Sequence, residues 1–223
     1  MTDNLELWNK VNTTNPEYTK SFNRGGGFKG TAINPIYQIR RATELFGPVG
    51  IGWGWEVLNE EIIKGAPLFS EKLVVGNELI HSLLVKVWYV YEEKRGEVVQ
   101  YGATTLVGQN KYGFFTDEET KKKSLTDAIG KALSCLGFSA DIHLGLYDDN
   151  KYINDLKQQI AEKNYADKES EIESKLKTLT TEGEIRDYFK SAMELLGINK
   201  SNRAVYDIWT ARFSAAVKSL AKE

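Results

Sequence analysis

Residues able to make or break bonds are sparse in this chain. Its two histidines, His81 and His143, have no cysteine or second histidine at ligand spacing, so each reads as a surface or satisfied core histidine rather than a metal ligand. The one cysteine, Cys135, falls on the apolar side of a predicted helix and reads as a small buried hydrophobe. A single cysteine also excludes an intrachain disulfide framework. No serine sits in a nucleophile-elbow pattern. Gly25-Gly26-Gly27 with Gly30 suggests a phosphate cradle, but Phe28-Lys29-Gly30 follows where a nucleotide-binding loop needs Gly-Lys-Ser/Thr. A backbone loop open to close approach is the plainer reading. Asp141, Asp148 and Asp149 form a carboxylate set that a metal-dependent nuclease would need; capping of the following helix by Asp148 competes with that reading. No catalytic group and no cofactor are expected.

Lysine gives the stronger signal. Lys121-Lys122-Lys123 opens a predicted helix, and Lys20 and Lys29 flank the glycine triplet. Phosphate binding and a solvated helix face balanced by Glu118 and Glu119 are both compatible with the lysine run.

The elements that must position these groups follow from local signals. Asn34-Pro35 opens a helix, with Ile36, Ile39, Ala42, Thr43 and Phe46 at helical spacing and Gly47-Pro48 as the stop. Trp53, Trp55 and Val57 alternate as in a half-buried strand. Leu79–Val107 reads as a long hairpin turning at Lys94-Arg95-Gly96. Thr116 or Asp117 caps a second helix, with Glu118 and Glu119 in its first turn and Leu125, Ala128, Ile129, Ala132, Leu133 and Leu136 as its apolar line. Lys131 falls off that line, with Asp127, Lys123 and Ser124. Tyr147–Lys163, about Glu182–Leu196 (capped by Thr181, stopped by Gly197) and about Ser201–Ala221 read as further helices. The last has Val205, Ile208, Trp209, Phe213, Ala216, Val217 and Leu220 on one face.

Composition sets the bounds. The 223 residues are 41% hydrophobic and 27% charged with a net charge of -2, which excludes wholesale disorder and a globally basic nucleic-acid binder but leaves room for a local basic groove. No apolar run approaches the roughly 20 residues of a membrane span, and Met1–Lys10 lacks an apolar signal core, so a cytoplasmic protein with no membrane partner is expected. All 4 prolines precede residue 70, and only Gly183 and Gly197 of the 19 glycines lie beyond residue 150. The reading is an α+β fold, an antiparallel sheet with a long hairpin packed on helices, over residues 1–153, followed by a small helical region, 154–223.

Three stretches in this order and spacing resemble a known family. They are Arg24-Gly-Gly-Gly-Phe-Lys29 with Pro35-Ile-Tyr-Gln-Ile-Arg-Arg-Ala-Thr-Glu-Leu-Phe-Gly47 and Gly52-Trp-Gly-Trp-Glu56; Val98-Val-Gln-Tyr-Gly-Ala-Thr105; and Lys121-Lys-Lys-Ser-Leu-Thr-Asp-Ala-Ile-Gly-Lys-Ala-Leu-Ser-Cys-Leu-Gly137 with Gly145-Leu-Tyr-Asp-Asp149. Over roughly residues 16–153 the chain is similar to the Rad-fifty-two-like single-strand annealing proteins, particularly their bacteriophage members. The resemblance implies binding of single-stranded DNA and ATP-independent annealing of complementary strands in recombination and repair, by a ring or filament of identical subunits in the bacterial cytoplasm. An exonuclease or a single-strand-binding protein is the further partner it suggests. Arg24 and Lys131 fall where relatives have basic DNA contacts. Gly130 and Ser134 replace two other basic positions, and Lys121, Lys122 and Lys123 are the expected compensation.

The residues are consistent with that function. Annealing makes no bond; it needs phosphate neutralised and bases kept accessible. Arg24, Lys20, Lys29, Lys121–Lys123 and Lys131 would supply the first. Phe28, Tyr112, Phe114 and Phe115, in glycine-bearing loops, are candidates for base stacking, weighed against ordinary packing. An RNA- or duplex-binding module and the metal-dependent nuclease are the alternatives.

Overall fold

The structure, a computed structural model, describes residues 4–23, 27 and 29–220. The chain divides into two compact units, residues 1–153 and 154–223. The first is α+β and the second helical.

The first unit begins with helix α1 (Glu6–Val11) and a two-stranded antiparallel ribbon, β1 (Thr19–Asn23) and β2 (Lys29–Ile33). Helix α2 (Pro35–Phe46) starts as its sequence dictates: the Asn34 side chain accepts from the Ile36 amide at 2.9 Å, and Gly47 ends it at φ 96°. Its buried residues are Tyr37, Gln38, Ala42 and Phe46, while Ile36 is exposed, so the inward face is turned about one residue from the expected apolar line.

A four-stranded antiparallel sheet follows in the order β3 (Trp53–Ser70), β4 (Leu73–Tyr91), β5 (Lys94–Asn110), β6 (Gly113–Thr116). Pro67, which cannot donate to a ladder, sits on the edge strand β3, where the register slips. The sheet curls enough for the Gln109 side chain of β5 to bond both the amide and the carbonyl of Phe69 on β3. The β4–β5 turn is Glu92-Glu93, at φ 48° and 61°, not the expected Lys94-Arg95-Gly96. Two residues of positive φ match the right-handed twist of the strands they join. Gly96 lies inside β5 because the Tyr89 ring occupies the space of a side chain: a Cβ there would be 2.3 Å from Tyr89 Cζ. The same device occurs twice more. Gly54 lies under Trp88 and Gly108 under Phe115, and all three glycines are directly opposite their rings in the strand register.

One sheet face carries the core. Alternation puts His81, Leu83, Val85 and Val87 of β4 inward, against Ala42 and Phe46 of α2, Trp53 of β3, and Ala128, Ile129, Ala132 and Leu133 of helix α3 (Thr120–Cys135). Each buried Val, Leu or Phe contributes about 1.5–3 kcal/mol. Helix α3 lies close on β5, because Gly102 has no side chain: a Cβ there would be 2.1 Å from the Ser124 carbonyl oxygen.

Several expectations for α3 fail. Its first helical residue is Thr120, because the Asp117 side chain accepts from the Glu119 amide and forms a turn before the helix; Glu118 and Glu119 therefore precede the first turn. Ser124 is buried rather than on the polar side, and Cys135 is exposed rather than buried, with Gln100 Nε2 donating to its sulfur at 3.4 Å.

Helix α4 (Ala140–His143) ends at the exposed His143, expected in a loop. Tyr147 lies in a 3-10 turn (Leu146–Asp148), and helix α5 runs Asn150–Leu176, beyond the expected Lys163. Asp149, not Asp148, caps it, accepting from the Lys151 amide at 2.8 Å.

In the second unit, α6 (Glu182–Leu196) has reciprocal capping between Thr181 and Glu184 and ends at Gly197, φ 68°. Helix α7 (Arg203–Leu220) buries Trp209 and Phe213 with Ile185, Ala192, Met193 and Ile172; the expected face members Val205 and Ile208 are exposed. No helix among the described residues is long and apolar enough to cross a membrane.

Candidate nucleic-acid interface

The basic residues singled out in the sequence do not form one free patch. Arg24 and Phe28 lie outside the described residues. Lys20 and Lys29 are both exposed on the ribbon but on opposite faces: Lys20 pairs with Ala32, next to Phe22–Gly30, whereas Lys29 pairs with Asn23, next to Ser21–Thr31.

Every lysine predicted on α3 has a carboxylate partner. Lys121 Nζ is 2.8 Å from Glu60, Lys122 is 2.9 Å from Glu119, Lys123 is 2.6 Å from Asp117 and Lys131 is 2.7 Å from Asp127. Lys123 holds the Asp117 carboxyl below its usual range, and Lys122 does the same to Glu119. The side chains remain in contact with solvent, Lys121 at 78% and Lys122 at 74%, so a phosphate can reach each ammonium. Asp127 also accepts from the Ala103 amide, occupying an open donor on the β5 edge.

Gly130, where the resemblance leads one to expect a basic residue, faces α2: a Cβ would stand 3.1 Å from Gln38 Oε1. Ser134 hydrogen-bonds back to the Lys131 carbonyl at 2.8 Å.

The aromatic candidates divide. Tyr112, in the β5–β6 turn, is 85% exposed, with Lys111 Nζ 4.8 Å from its ring centre. Phe114 on β6 is also exposed. Phe115 is half-buried over Gly108 and is packing, not platform.

Two of the three carboxylates of the nuclease alternative are committed elsewhere. Asp141 is buried and accepts from the Thr14 amide (2.7 Å), Thr14 Oγ1 (2.8 Å), the Ile142 amide (2.9 Å) and Tyr152 OH (3.1 Å). Burial first, then the Asp141 charge, pushes the Tyr152 phenol up to about 12. Asp149 is the α5 cap. Among the described residues no group of three His, Cys, Asp or Glu side chains is placed to hold a metal ion.

Sequence reasoning missed two features. Glu60 and His81 join the lysine cluster through the β3–β4 register, which no local signal carries. The middle and far end of β3 and the start of β4 expose Leu58, Ile62, Ile63, Phe69, Leu73, Val74 and Val75. The density of aliphatic residues at 57–75 was the available signal for the second. The lysine pairs with Glu119 and Asp127 were legible as helical spacings of three and four.

The chain matches no protein-family model and no curated protein sequence.

Proposed function

We propose that the protein binds single-stranded DNA and promotes the pairing of complementary strands without ATP. The observation that carries this reading is the run from Lys111 to Lys123, where exposed rings, Tyr112 and Phe114, lead into three solvent-facing lysines at the start of α3. Lysines grip phosphate whatever the sequence, and an exposed ring stacks on any base, so the combination suits a strand whose bases stay available. The three motif stretches that resemble single-strand annealing proteins support the same reading, and the chemistry asks for no catalytic group.

Self-association belongs to this proposal. The exposed aliphatic ends of β3 and β4 and the open β3 edge suit a second copy of the chain.

The test is to mix two complementary labelled strands with and without protein, no nucleotide added, and follow pairing by energy transfer. Faster pairing with the protein, lost in a Lys121/Lys122/Lys123→Ala variant, is expected. A pairing rate unaffected by the protein would refute the proposal.

A further inference from the structure

We infer that Glu60 is an intramolecular competitor for Lys121, which single-stranded DNA must displace in order to bind; the inference rests on the reading above. Lys121 differs from its neighbours in where its partner originates. Lys122 and Lys131 pair with carboxylates three and four residues away, an arrangement any solvated helix offers. Glu60 comes instead from the middle of β3, and it is held there. Its carboxylate oxygen is 2.8 Å from Lys121 Nζ and 3.0 Å from His81 Nε2. His81 is 1% exposed, and its Nδ1 is 2.9 Å from Oγ of the fully buried Ser124. With the proton on Nε2, the ring donates to Glu60 and its Nδ1 faces the Ser124 hydroxyl, whose one proton is shared between Nδ1 and the His81 carbonyl oxygen at 3.2 Å, so the ring cannot turn without losing a bond. The contacts form a closed circuit: from Ser124 on α3 to β4, across to β3, and back to Lys121 on α3.

A phosphate oxygen and a carboxylate oxygen compete for the same ammonium. Because His81 orients Glu60 in advance, the internal pair forms with little additional ordering of the carboxylate. Lys121 first, and His81 second, keep the Glu60 carboxyl below its usual range, so it is charged at neutral pH. The effect on DNA is weaker capture and quicker release, since Glu60 reclaims Lys121 as the strand leaves. An annealing protein has use for that, because the paired product has to depart.

The test measures fluorescence anisotropy of a labelled oligothymidylate with wild type, Glu60→Gln, Lys121→Ala and the double variant. Glutamine can still accept from His81, so the fold is retained; Glu60→Ala, at a position open to solvent, serves as a second carboxylate deletion. Lys121→Ala is expected to weaken binding. Either Glu60 substitution is expected to tighten it about two- to fivefold, the strength of an exposed ion pair, and to change nothing once Lys121 is alanine. Unchanged affinity in the Glu60 variants, or equal tightening with and without Lys121, overturns the competitor role, while weakening by Lys121→Ala would leave the DNA-binding reading standing. Absence of binding by the wild-type protein would overturn both.

Discussion

Replacing Gly102 by alanine tests how the lysine-bearing helix is held. The added methyl would sit 2.1 Å from the Ser124 carbonyl oxygen, 2.5 Å from the Ala128 amide nitrogen and 2.8 Å from Ala128 Cβ. Two of these are backbone atoms of α3 and have no rotamer to escape into, so the helix has to retreat by about 1.3 Å or more to reach ordinary contact. That opens the layer formed by Ala128, Ala132 and Leu133 against β4 and β5. The cost falls at the upper end of the overpacking range, about 3 kcal/mol. At about 2–4 °C per kcal/mol for a unit of this size, the melting temperature should drop by about 10 °C. Gly130→Ala is the matched control. Its nearest neighbour is the far end of the Gln38 side chain at 3.1 Å, which needs to give by only a few tenths of an ångström, and alanine gains about 1 kcal/mol of helix propensity over glycine, so that variant should melt close to wild type. Thermal unfolding followed by circular dichroism reads both. A Gly102→Ala protein as stable as wild type, or as Gly130→Ala, would refute the close seating of α3 on β5.

Further outcomes are expected. Substituting Lys121, Lys122 and Lys123 together by alanine should lower the slope of log affinity for single-stranded DNA against log salt by up to about 2, so that the advantage of wild type shrinks about 20-fold between 50 and 200 mM salt; parallel salt plots would exclude these lysines as phosphate contacts. Tyr152 and Tyr147 titrate higher in the folded protein than the usual 10.0, chiefly through burial, so below that pH their contribution to stability is full and independent of pH; above it the unfolded chain deprotonates first, and stability falls as pH rises toward about 12. Urea midpoints from pH 8 to 11.5 should show that fall, and Tyr152→Phe should lessen it while Tyr147 keeps its share; a flat wild-type profile would contradict the buried phenols. Light scattering should find assemblies larger than one chain, and Leu73→Glu with Val75→Glu should reduce them to monomer; a wild-type monomer with and without a long single strand would remove the self-association proposal.

Much of the fold was legible because its signals were local. Asn34-Pro35 and Gly47 bracket α2, and Thr181, Glu184 and Gly197 bracket α6, each by satisfying helix-end groups within a few residues. What failed depended on partners distant in sequence. Lys94-Arg95-Gly96 looked like the hairpin turn, but Gly96 is needed beneath Tyr89, so the turn passes to Glu92-Glu93. Ser124 looked polar-facing until the register brought His81 beneath it. The candidate lysines were visible as a run, yet their electrostatic state was not, because the carboxylate that answers Lys121 comes from another strand.

The three glycines that lie opposite rings, Gly54 with Trp88, Gly96 with Tyr89 and Gly108 with Phe115, constrain how this sheet can change over evolutionary time. A side chain added at the glycine collides with the ring, and shrinking the ring leaves bare backbone and an unfilled surface. Either step alone is penalised, while the two together exchange one filled cross-strand site for another. Each couple should therefore drift as a unit: lineages that abandon the ring are freed to replace the glycine, and those that keep it are not. Co-variation at 54/88, 89/96 and 108/115 is the trace this packing would leave in a set of homologous sequences.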